Sequence, residues 1–591
     1  MGAANAGPDL RATEGDHGAG GQREDGVRAP DDRRVAMASG PFWIDLKAAL
    51  RRRYGLRKVL ESAAGRLIRR ASFLVAAGIV LMIAVALRLI NLDRFGFNSD
   101  EAVYAGQAAA LAGHQDYAQL FGVFRAHPLL VHFIVSLVYR VTDVNDVAPR
   151  LVSVAFGVGM VAVGGAIGTV MRGRRVGLLT MLIIAVSAYP VMVSRQLLLD
   201  GPMAFFFALT LLFLALYVRQ PRGLTLYAAA CSAGLAFLAK ESAILIVPAV
   251  LAFFLLARDV PLSLRDFAIS AFVYLATIAA FPVSLLVGGG TRVAQEFFVW
   301  QLLRRPNHDP NFYLSVVPTI GIPVVALALV GLVIALRRRL GLDVLIVCLT
   351  VVVVAFFELW PVKGFQYLIP LVTPVALLAA DGLVSIADSL IRASKHARFS
   401  RRLAIASAGL ALVATSAIAL GIGSSWVIDT PAAAIVATDS DQTGDPSTAP
   451  AGYAFTAGTG GLEASRPVGE WIRKNTLSDS EFLTIGPSLA NIIQFYGKRR
   501  ALALSVSPNP LHRNPTYQPV LNADLMLRTN AVQYLVYDSY SAARTPFFAH
   551  RLMGFVHKYN GILVYADLQP VQQANGTTSN VPIVLIYEVH P

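Results

Sequence analysis

The chain has 591 residues, of which 55% are hydrophobic and only 15% charged, and its mean hydropathy is +0.57. A soluble globular protein of this length is less apolar, so the composition predicts a membrane protein. The formal charge of +14 does not indicate a nucleic-acid partner, because the lysines and arginines lie in short clusters between apolar runs. Cys231 and Cys348 both lie inside apolar runs, which argues against a disulfide framework and against a cysteine metal site.

The N-terminal segment, residues 1–70, is predicted to be cytoplasmic and mostly disordered. Residues 1 to about 40 are rich in glycine, alanine and charge and poor in large apolar side chains, a composition that cannot form a core. The first apolar run begins only after Arg69 and Arg70, so a cleavable signal peptide is not expected.

About eleven apolar runs follow, each near the roughly 17 to 25 residues that cross about 30 Å of hydrocarbon. They predict a polytopic α-helical domain over residues 71–425. The runs are 72–90, 149–171, 176–194, 202–218, 224–239, 242–257, 267–288, 313–336, 343–357, 365–386 and 403–425. The segment 128–140 is interrupted by His132 and would reach only about 20 Å as a helix, so we expect an interfacial or re-entrant helix there.

Basic loops predict the orientation. If 128–140 does not span, the basic N-terminus lies on the same side as five basic connections, and that side is cytoplasmic. The connections are 172–175, 219–222, 258–265, 337–339 and 391–402. We therefore expect a multi-pass plasma-membrane protein in which the loop 91–148, and everything after about 426, is extracytoplasmic.

The tail changes character after the last apolar run. Residues 426–464 are rich in Gly, Ala, Ser, Thr and Pro and are predicted to be a linker. Residues 465–591 combine a helix candidate with strand-like runs, which predicts a small extracytoplasmic α/β domain. The helix candidate is 466–475, and the strand candidates are 481–486, 501–506, 532–538, 561–567 and 581–589.

Polar residues at the ends of the apolar runs fall on the predicted external face, where ionisable groups usually face a cavity or one another. They include Asp100, Glu101, Arg125, His127, Arg195, Asp200, Lys240, Glu241, Glu296, Arg304, Arg305, His308 and Lys363. Sequence alone does not show that they meet.

Each of these residues also has a purely structural interpretation. Asp100 and Glu101 suit the first turn of an interfacial helix, with Ser99 as its N-cap. Arg195 with Asp200, and Lys240 with Glu241, are candidate local ion pairs. Arg304 and Arg305 suit lipid head groups, and His127 and His308 are no more specific than structural histidines.

Six sequence blocks, in order, resemble the GT-C glycosyltransferases. They are Asp100-Glu101 with Tyr104, RAHPLL (125–130), APRLVSVAFG (148–157), SRQLLLDGPMAFFFAL (194–209), AFLAKESAILIVP (236–248) and KGFQYLIPLVTPVALLAA (363–380). The similarity is strongest to the branch that holds protein O-mannosyltransferases and the aminoarabinose transferase of lipid A, and it covers about 72–385. It implies the GT-C fold, with interfacial helices in the first external loop.

The resemblance also implies a chemistry: inverting transfer of a sugar from a polyprenyl-phosphate donor to a hydroxyl acceptor. Asp100 would be the general base, with Glu101 and Asp200 as further catalytic carboxylates, Glu101 binding the acceptor or only holding the loop. The residues implied for the donor and its phosphate are Tyr104, Arg125, His127, Arg195, Lys240, Arg304, Arg305, His308, Lys363 and Tyr367. The acceptor is left open between a glycan, a glycolipid and a protein, and membrane lipids are the surrounding partners.

The chain departs from the family at three points. Val103 stands where the aminoarabinose transferase carries arginine, Ala126-His127 replaces its Glu-Lys, and Asp200 is followed by Gly201 and not by a second acid. The sequence therefore predicts no obligatory metal and no tight metal site, with a divalent ion left open.

Two other functions compete with this one. A transporter or flippase of a lipid-linked or amphiphilic anion would also need basic groups, but it predicts comparable polar groups in the cytoplasmic half and an inverted repeat, which the sequence does not show. A scaffold whose external domain carries the function is the third.

Overall fold

The computed structural model describes residues 70–122, 127–304, 306, 309–393, 465–572 and 578–590. Helices form the part before residue 394, and residues 465–590 form a layer of helices and strands that we name the C-terminal domain. The predicted disordered segment, the apolar run 403–425 and the linker 426–464 lie outside the described residues.

The membrane part begins with α1 and continues through sixteen further described helices, several of them short. Their bounds are α1 Arg70–Leu89, α2 Ser99–Ala112, α3 Gln115–Ala118, α4 Leu130–Tyr139, α5 Val147–Arg172, α6 Arg174–Val186, α7 Ala188–Ser194, α8 Asp200–Arg219, α9 Gly223–Ala239, α10 Ile246–Leu256, α11 Leu264–Ile278, α12 Ala280–Gly288, α13 Thr291–Leu302, α14 Val317–Ile320, α15 Ile322–Arg338, α16 Gly341–Leu359 and α17 Val372–Ala393. Short 3₁₀-helices, Glu241–Leu245, Pro310–Val316 and Phe365–Leu371, lead into α10, α14 and α17.

Within the described residues, six helices are long and apolar enough to cross a membrane, or up to eight if each of two bent helix pairs is one crossing. Every predicted run before residue 394 contains a helix, although 224–239 and 242–257 form shorter apolar helices, Gly223–Ala239 and Glu241–Leu256. The protein is a polytopic helical membrane protein. Its total of eleven crossings stays a prediction, as does the interfacial position of α4, a helix of only about 15 Å.

One predicted span is bent by 62° where α6 gives way to α7 at Ser187. Pro190 lies in the first turn of α7 and has no backbone N–H to continue the helical ladder. Buried Arg88 of α1 donates to the carbonyls freed at the break, those of Ile184 at 3.3 Å and Ala185 at 3.2 Å. The carbonyls freed at the bend are therefore hydrogen-bonded inside the apolar core, and Arg88 fixes α1 against the end of α6.

Four charged residues meet at the ends of the helices that lie farthest from Asp100. Arg172 at the end of α5 pairs with Asp343 of α16 and with Asp381 of α17, and Arg338 of α15 pairs with the same two carboxylates. We name these four residues the Arg172 cluster. The sequence analysis does not predict this cluster, whose two cations and two anions neutralise each other.

The C-terminal domain is a five-stranded mixed sheet with helices, in the order β2-β1-β3-β5-β4. Strands β1, β2 and β3 are parallel, while β5 runs antiparallel to β3 and β4. The elements are α18 Ser465–Asn475, β1 Glu481–Thr484, α19 Pro487–Ile492, β2 Arg500–Ala503, α20 Ala523–Arg528, β3 Tyr534–Asp538, α21 Ser539–Arg544, α22 Pro546–Lys558, β4 Ile562–Gln572 and β5 Thr578–Glu588. The predicted helix and all five predicted strands are present, so the small α/β domain is confirmed.

The two faces of the sheet belong to different cores, because side chains alternate along a strand. Leu483 and Leu535 face Leu552 of α22 in a core that is local to the domain. Phe482 and Val536 face the other way, into a core continuous with that of the membrane part. The domain is therefore packed against the membrane helices through one sheet face.

Candidate active site

The site begins at the first turn of α2. Asn98, not Ser99, is the N-cap: its side chain accepts from the backbone N–H of Glu101 at 2.9 Å, and the Glu101 carboxylate accepts from the N–H of Asn98 at 3.1 Å. This capping box explains why the helix starts here. Ser99 points elsewhere, with its hydroxyl accepting from Asn491 of the C-terminal domain at 3.0 Å.

The adjacent acids have opposite surroundings, since neighbours on a helix point about 100° apart. Glu101 is 1% exposed. Its two oxygens accept from the Arg150 guanidinium at 2.7 and 2.8 Å, and one also accepts from the N–H of Leu197 at 2.9 Å. Asp100 is partly exposed, and no described residue hydrogen-bonds its carboxylate. Asp100 is thus the acid that is available for chemistry.

Charges around Asp100 act on its protonation. Burial raises the pKa of the Asp100 carboxyl above its ordinary value of 3.8. The ammonium of Lys240 opposes that rise, the carboxylate of Asp200 adds to it, and His127 and Arg304 are also close enough to lower it. The net rise moves the group toward the range in which a carboxylate can take a proton near neutral pH.

Lys240 and Asp200 form a buried ion pair across two helix ends. The Lys240 Nζ donates to both Asp200 oxygens at 2.8 Å, and its ammonium also lies 4.8 Å from the centre of the Tyr367 ring. Asp200 opens α8, and Lys240 lies in the extended break after α9. The expected pair of Arg195 with Asp200 is not formed.

Glu241 turns away from its neighbour Lys240 and pairs with His127, whose Nδ1 lies 2.9 Å from Glu241 Oε2. The ring of His127 meets the edge of Tyr104 at 6.0 Å. Tyr104 is one turn beyond Asp100 on the same face of α2, and burial raises its pKa, so its hydroxyl stays protonated. The expected local pair of Lys240 with Glu241 is therefore replaced by two longer-range pairs.

Arg304 and Lys363, two further predicted cations, differ in their exposure and in their contacts. Arg304 lies with its guanidinium 4.6 Å from the Trp300 ring centre and donates to Gln301 at 3.2 Å. Lys363 is 5% exposed and donates to the carbonyl of Glu358 at 2.9 Å. Arg304 is the more accessible of the two.

Arg195 is used differently from the prediction. Its guanidinium donates to carbonyls at the C-terminal end of α1 and just beyond it, those of Leu87, Arg88, Ile90 and Asn91, at 2.6 to 3.3 Å. The structure thus places it as a helix cap. Arg125, Arg305 and His308 lie outside the described residues.

Part of the chain matches a known protein family, and its fold is similar to that of solved structures. Residues 126–286 match the family model described as dolichyl-phosphate-mannose-protein mannosyltransferase. The fold is similar to that of ArnT from Cupriavidus metallidurans in the apo state, with a TM-score of 0.60 and 15% identity over 86% of this chain and 97% of that one. The chain therefore has the fold of the GT-C glycosyltransferases.

Two further solved structures have a similar fold. ArnT from Cupriavidus metallidurans bound to undecaprenyl phosphate gives a TM-score of 0.59 at 16% identity, covering 86% of this chain and 97% of that one. AglB from Archaeoglobus fulgidus, in complex with an inhibitory peptide and a dolichol-phosphate, gives 0.55 at 12% identity over 87% of this chain and 74% of that one. No curated protein matches the chain by sequence. The predicted resemblance is confirmed at the level of the superfamily.

Residues that the sequence did not single out also surround the site. Arg150 lies in one of the quoted blocks, and an arginine at the start of an apolar run is itself a signal, because such a charge needs a partner. Tyr540 of the C-terminal domain is buried, which raises its pKa, and the Asp100 charge adds to that rise. Nothing in the sequence connects Tyr540 with a helix more than 400 residues earlier.

No three histidine, cysteine or acidic side chains come together as a metal site in the described ranges. Among the described residues, the carboxylates of the site are paired with cations or hydrogen-bonded, and Asp100 is the exception.

Proposed function

We propose that the protein is an inverting glycosyltransferase that moves a sugar from a polyprenyl-phosphate donor to a hydroxyl acceptor on the extracytoplasmic face of the plasma membrane. Asp100 is the general base. The observation that carries the proposal is a carboxylate with a raised pKa and no hydrogen-bond partner among the described residues, with cationic Lys240 and Arg304 close by.

The reaction balances with these groups alone. Asp100 takes the proton of the acceptor hydroxyl, and the acceptor oxygen attacks the anomeric carbon from the face opposite the phosphate. The bond from that carbon to the phosphate oxygen breaks, and the electron pair leaves with the polyprenyl phosphate. The donor diester carries one negative charge and the leaving monoester two, so stabilising charge is needed most on the phosphate.

Arg304 and Lys240 are the proposed phosphate contacts. A guanidinium can engage two phosphate oxygens at once, and an ammonium supplies a compact charge. Asp200 orients Lys240 in this proposal, and Tyr104 contacts the donor from the same face of α2 as Asp100. Glu101 holds the turn through Arg150 and takes no part in proton transfer, since both of its oxygens are occupied.

A polar groove suggests how the acceptor approaches. It has a volume of about 700 Å³ and lies between the first loop, at Asp116 and Gln119, and the β2 edge of the C-terminal domain. Tyr517 lines it, and Asn491 donates both to the Tyr517 hydroxyl at 2.9 Å and to Ser99 at 3.0 Å, one residue before Asp100. This groove favours a hydroxyl-rich acceptor selected by the C-terminal domain.

Asp100→Asn tests the function. Purified protein is assayed for transfer from a panel of synthetic polyprenyl-phosphate sugars to an envelope fraction from a strain that lacks the gene. Loss of the base lowers the rate by about 10²- to 10⁴-fold while donor binding persists. Asp143→Asn, an exposed carboxylate in the same loop 91–148, is the matched control and keeps full activity.

Full transfer by Asp100→Asn refutes the base, and no transfer by the wild-type protein from any donor in the panel refutes the function. Mass spectrometry of the envelope from the deletion strain then identifies sugar and acceptor together.

A further inference from the structure

The turn that carries Asp100 is held from two sides. Residues 92–98, named the entry turn here, connect α1 to α2 and end on the N-cap of the helix that bears Asp100. A general base must be kept within a fraction of an ångström of its proton, so whatever holds this turn sets the geometry of the reaction. Asp100 itself is not held by any described hydrogen bond.

Arg150 of α5 holds the inner side. Its Nη1 donates to the carbonyls of Leu92 at 3.0 Å and Phe95 at 2.8 Å, and its Nη2 donates to the carbonyl of Gly96 at 3.1 Å. Its remaining donors go to Glu101, which accounts for the five N–H groups of the guanidinium. The membrane helix thereby fixes both the turn and the residue after Asp100.

The C-terminal domain holds the outer side through one hydroxyl. Tyr496 OH accepts from the backbone N–H of Phe97 at 2.6 Å and donates to Asp146 Oδ2, also at 2.6 Å. Arg466 donates to the same Asp146 oxygen at 2.6 and 3.0 Å and to the carbonyl of Asp93 at 3.0 Å. Asp146 immediately precedes α5, one turn before Arg150, so the contacts on both sides of the turn are anchored at the same helix end.

Contacts at the surface of the turn are equally close. The centre of the Phe97 ring lies 5.0 Å from the centre of the Phe495 ring and 5.0 Å from the Arg150 guanidinium carbon. The ring therefore fills the space between Arg150 and the C-terminal domain. A Cβ on Gly96 would clash with the Ser465 hydroxyl and would lie 3.0 Å from the Arg466 backbone nitrogen. The domain therefore touches backbone at this point, which leaves no room for a side chain.

We propose that the C-terminal domain is part of the catalytic machinery, in which Tyr496, held by Asp146, is a positioning residue that sets the place of Asp100. The inference rests on the proposed role of Asp100 as base. It gives the domain a task in every turnover, whichever acceptor is used, in addition to acceptor selection.

Tyr496→Phe tests the proposal in the full-length protein, because it keeps the ring and removes only the bridging hydroxyl. We expect kcat to fall about 10- to 100-fold, as for a small displacement of a catalytic group, with the donor KM unchanged. Release of the turn also lets water reach Asp100, so the acid limb of the pH profile moves down toward that of an ordinary carboxylate. Tyr534→Phe removes another hydroxyl of the domain, 3.4 Å from a carboxylate oxygen of Glu588, and leaves kcat and the acid limb of the pH profile unchanged.

The same substitution is then made in Asp100→Asn. If Tyr496 acts through Asp100, it causes no further loss of the residual transfer. An equal loss in both backgrounds, a wild-type kcat for Tyr496→Phe, or the same loss for Tyr534→Phe overturns the inference. Asp146→Asn, which removes the charge that holds Tyr496, gives the same pattern and replaces Tyr496→Phe if that variant does not fold.

The two proposals fail separately. Full transfer by Asp100→Asn refutes the base. An inactive Asp100→Asn beside an unaffected Tyr496→Phe refutes only the positioning role.

Discussion

The buried pair of Lys240 and Asp200 allows stability and donor binding to be separated. The two side chains are 9% and 3% exposed, so solvent screens the pair little. At the 2.8 Å separation of Nζ from each oxygen, the attraction is about 6 kcal/mol with an effective dielectric constant of about 20. Much of it offsets desolvation. Breaking such a pair from one side costs about 3 to 5 kcal/mol, because the other charge stays buried without a partner.

Lys240→Met is therefore expected to lose about 3 to 5 kcal/mol of stability and to raise the donor KM. Asp200→Asn should lose similar stability but raise the donor KM less, since the ammonium that contacts the phosphate is still present. The double variant Asp200→Asn with Lys240→Met leaves no unpaired charge, so it should recover most of the stability and none of the donor affinity.

Thermal unfolding in detergent and initial rates against donor concentration measure the two effects on the same preparations. An unfolding midpoint of Lys240→Met equal to that of wild type, or a double variant no more stable than the two single ones, refutes the pair as a stabilising unit. An unchanged donor KM in Lys240→Met refutes the phosphate contact alone.

Three further outcomes are expected. The acid limb of kcat/KM lies above the ordinary carboxyl value of 3.8, because burial raises the pKa of Asp100; Lys240→Met moves that limb up and Asp200→Asn moves it down, which a pH profile of each variant checks. Burial also raises the pKa of Asp538 to about 6, so the folded state binds the proton more tightly than the unfolded state. Stability should therefore fall as pH rises from about 4 to about 6 and then level off. Asp538→Asn should flatten this dependence of the thermal unfolding midpoint on pH. Asp343→Asn, in the Arg172 cluster, should lower the unfolding midpoint and leave the donor KM unchanged; a raised donor KM there would show that lost stability alone mimics a lost phosphate contact.

The architecture was largely accessible from the chain, since long apolar runs and period-two strands are strong local signals. All five strands of the C-terminal domain and its first helix were found in this way. The boundaries of the elements are predicted less accurately. The bend at Ser187 is not predicted, because it depends on Arg88 from another helix to bind the freed carbonyls.

Pairing was the harder problem. Lys240 and Glu241 are adjacent, so a local pair was a reasonable expectation, yet each finds a partner elsewhere, Asp200 and His127. Arg195, five residues before Asp200, bonds the carbonyls of α1 instead. Separation along the sequence is a poor guide to ion-pair partners, because the packing of the helices decides which charged side chains come into contact.

The sequence by itself determined the fold class, the membrane character, the sheet domain and the interest of the Asp100-Glu101 pair, since hydrophobic pattern and local capping act over a few residues. Only the tertiary structure decided which of the two acids has no hydrogen-bond partner among the described residues, because Arg150, about fifty residues away, occupies Glu101. It also decided that the C-terminal domain holds the entry turn through Tyr496, a contact between segments about 400 residues apart that no local pattern encodes.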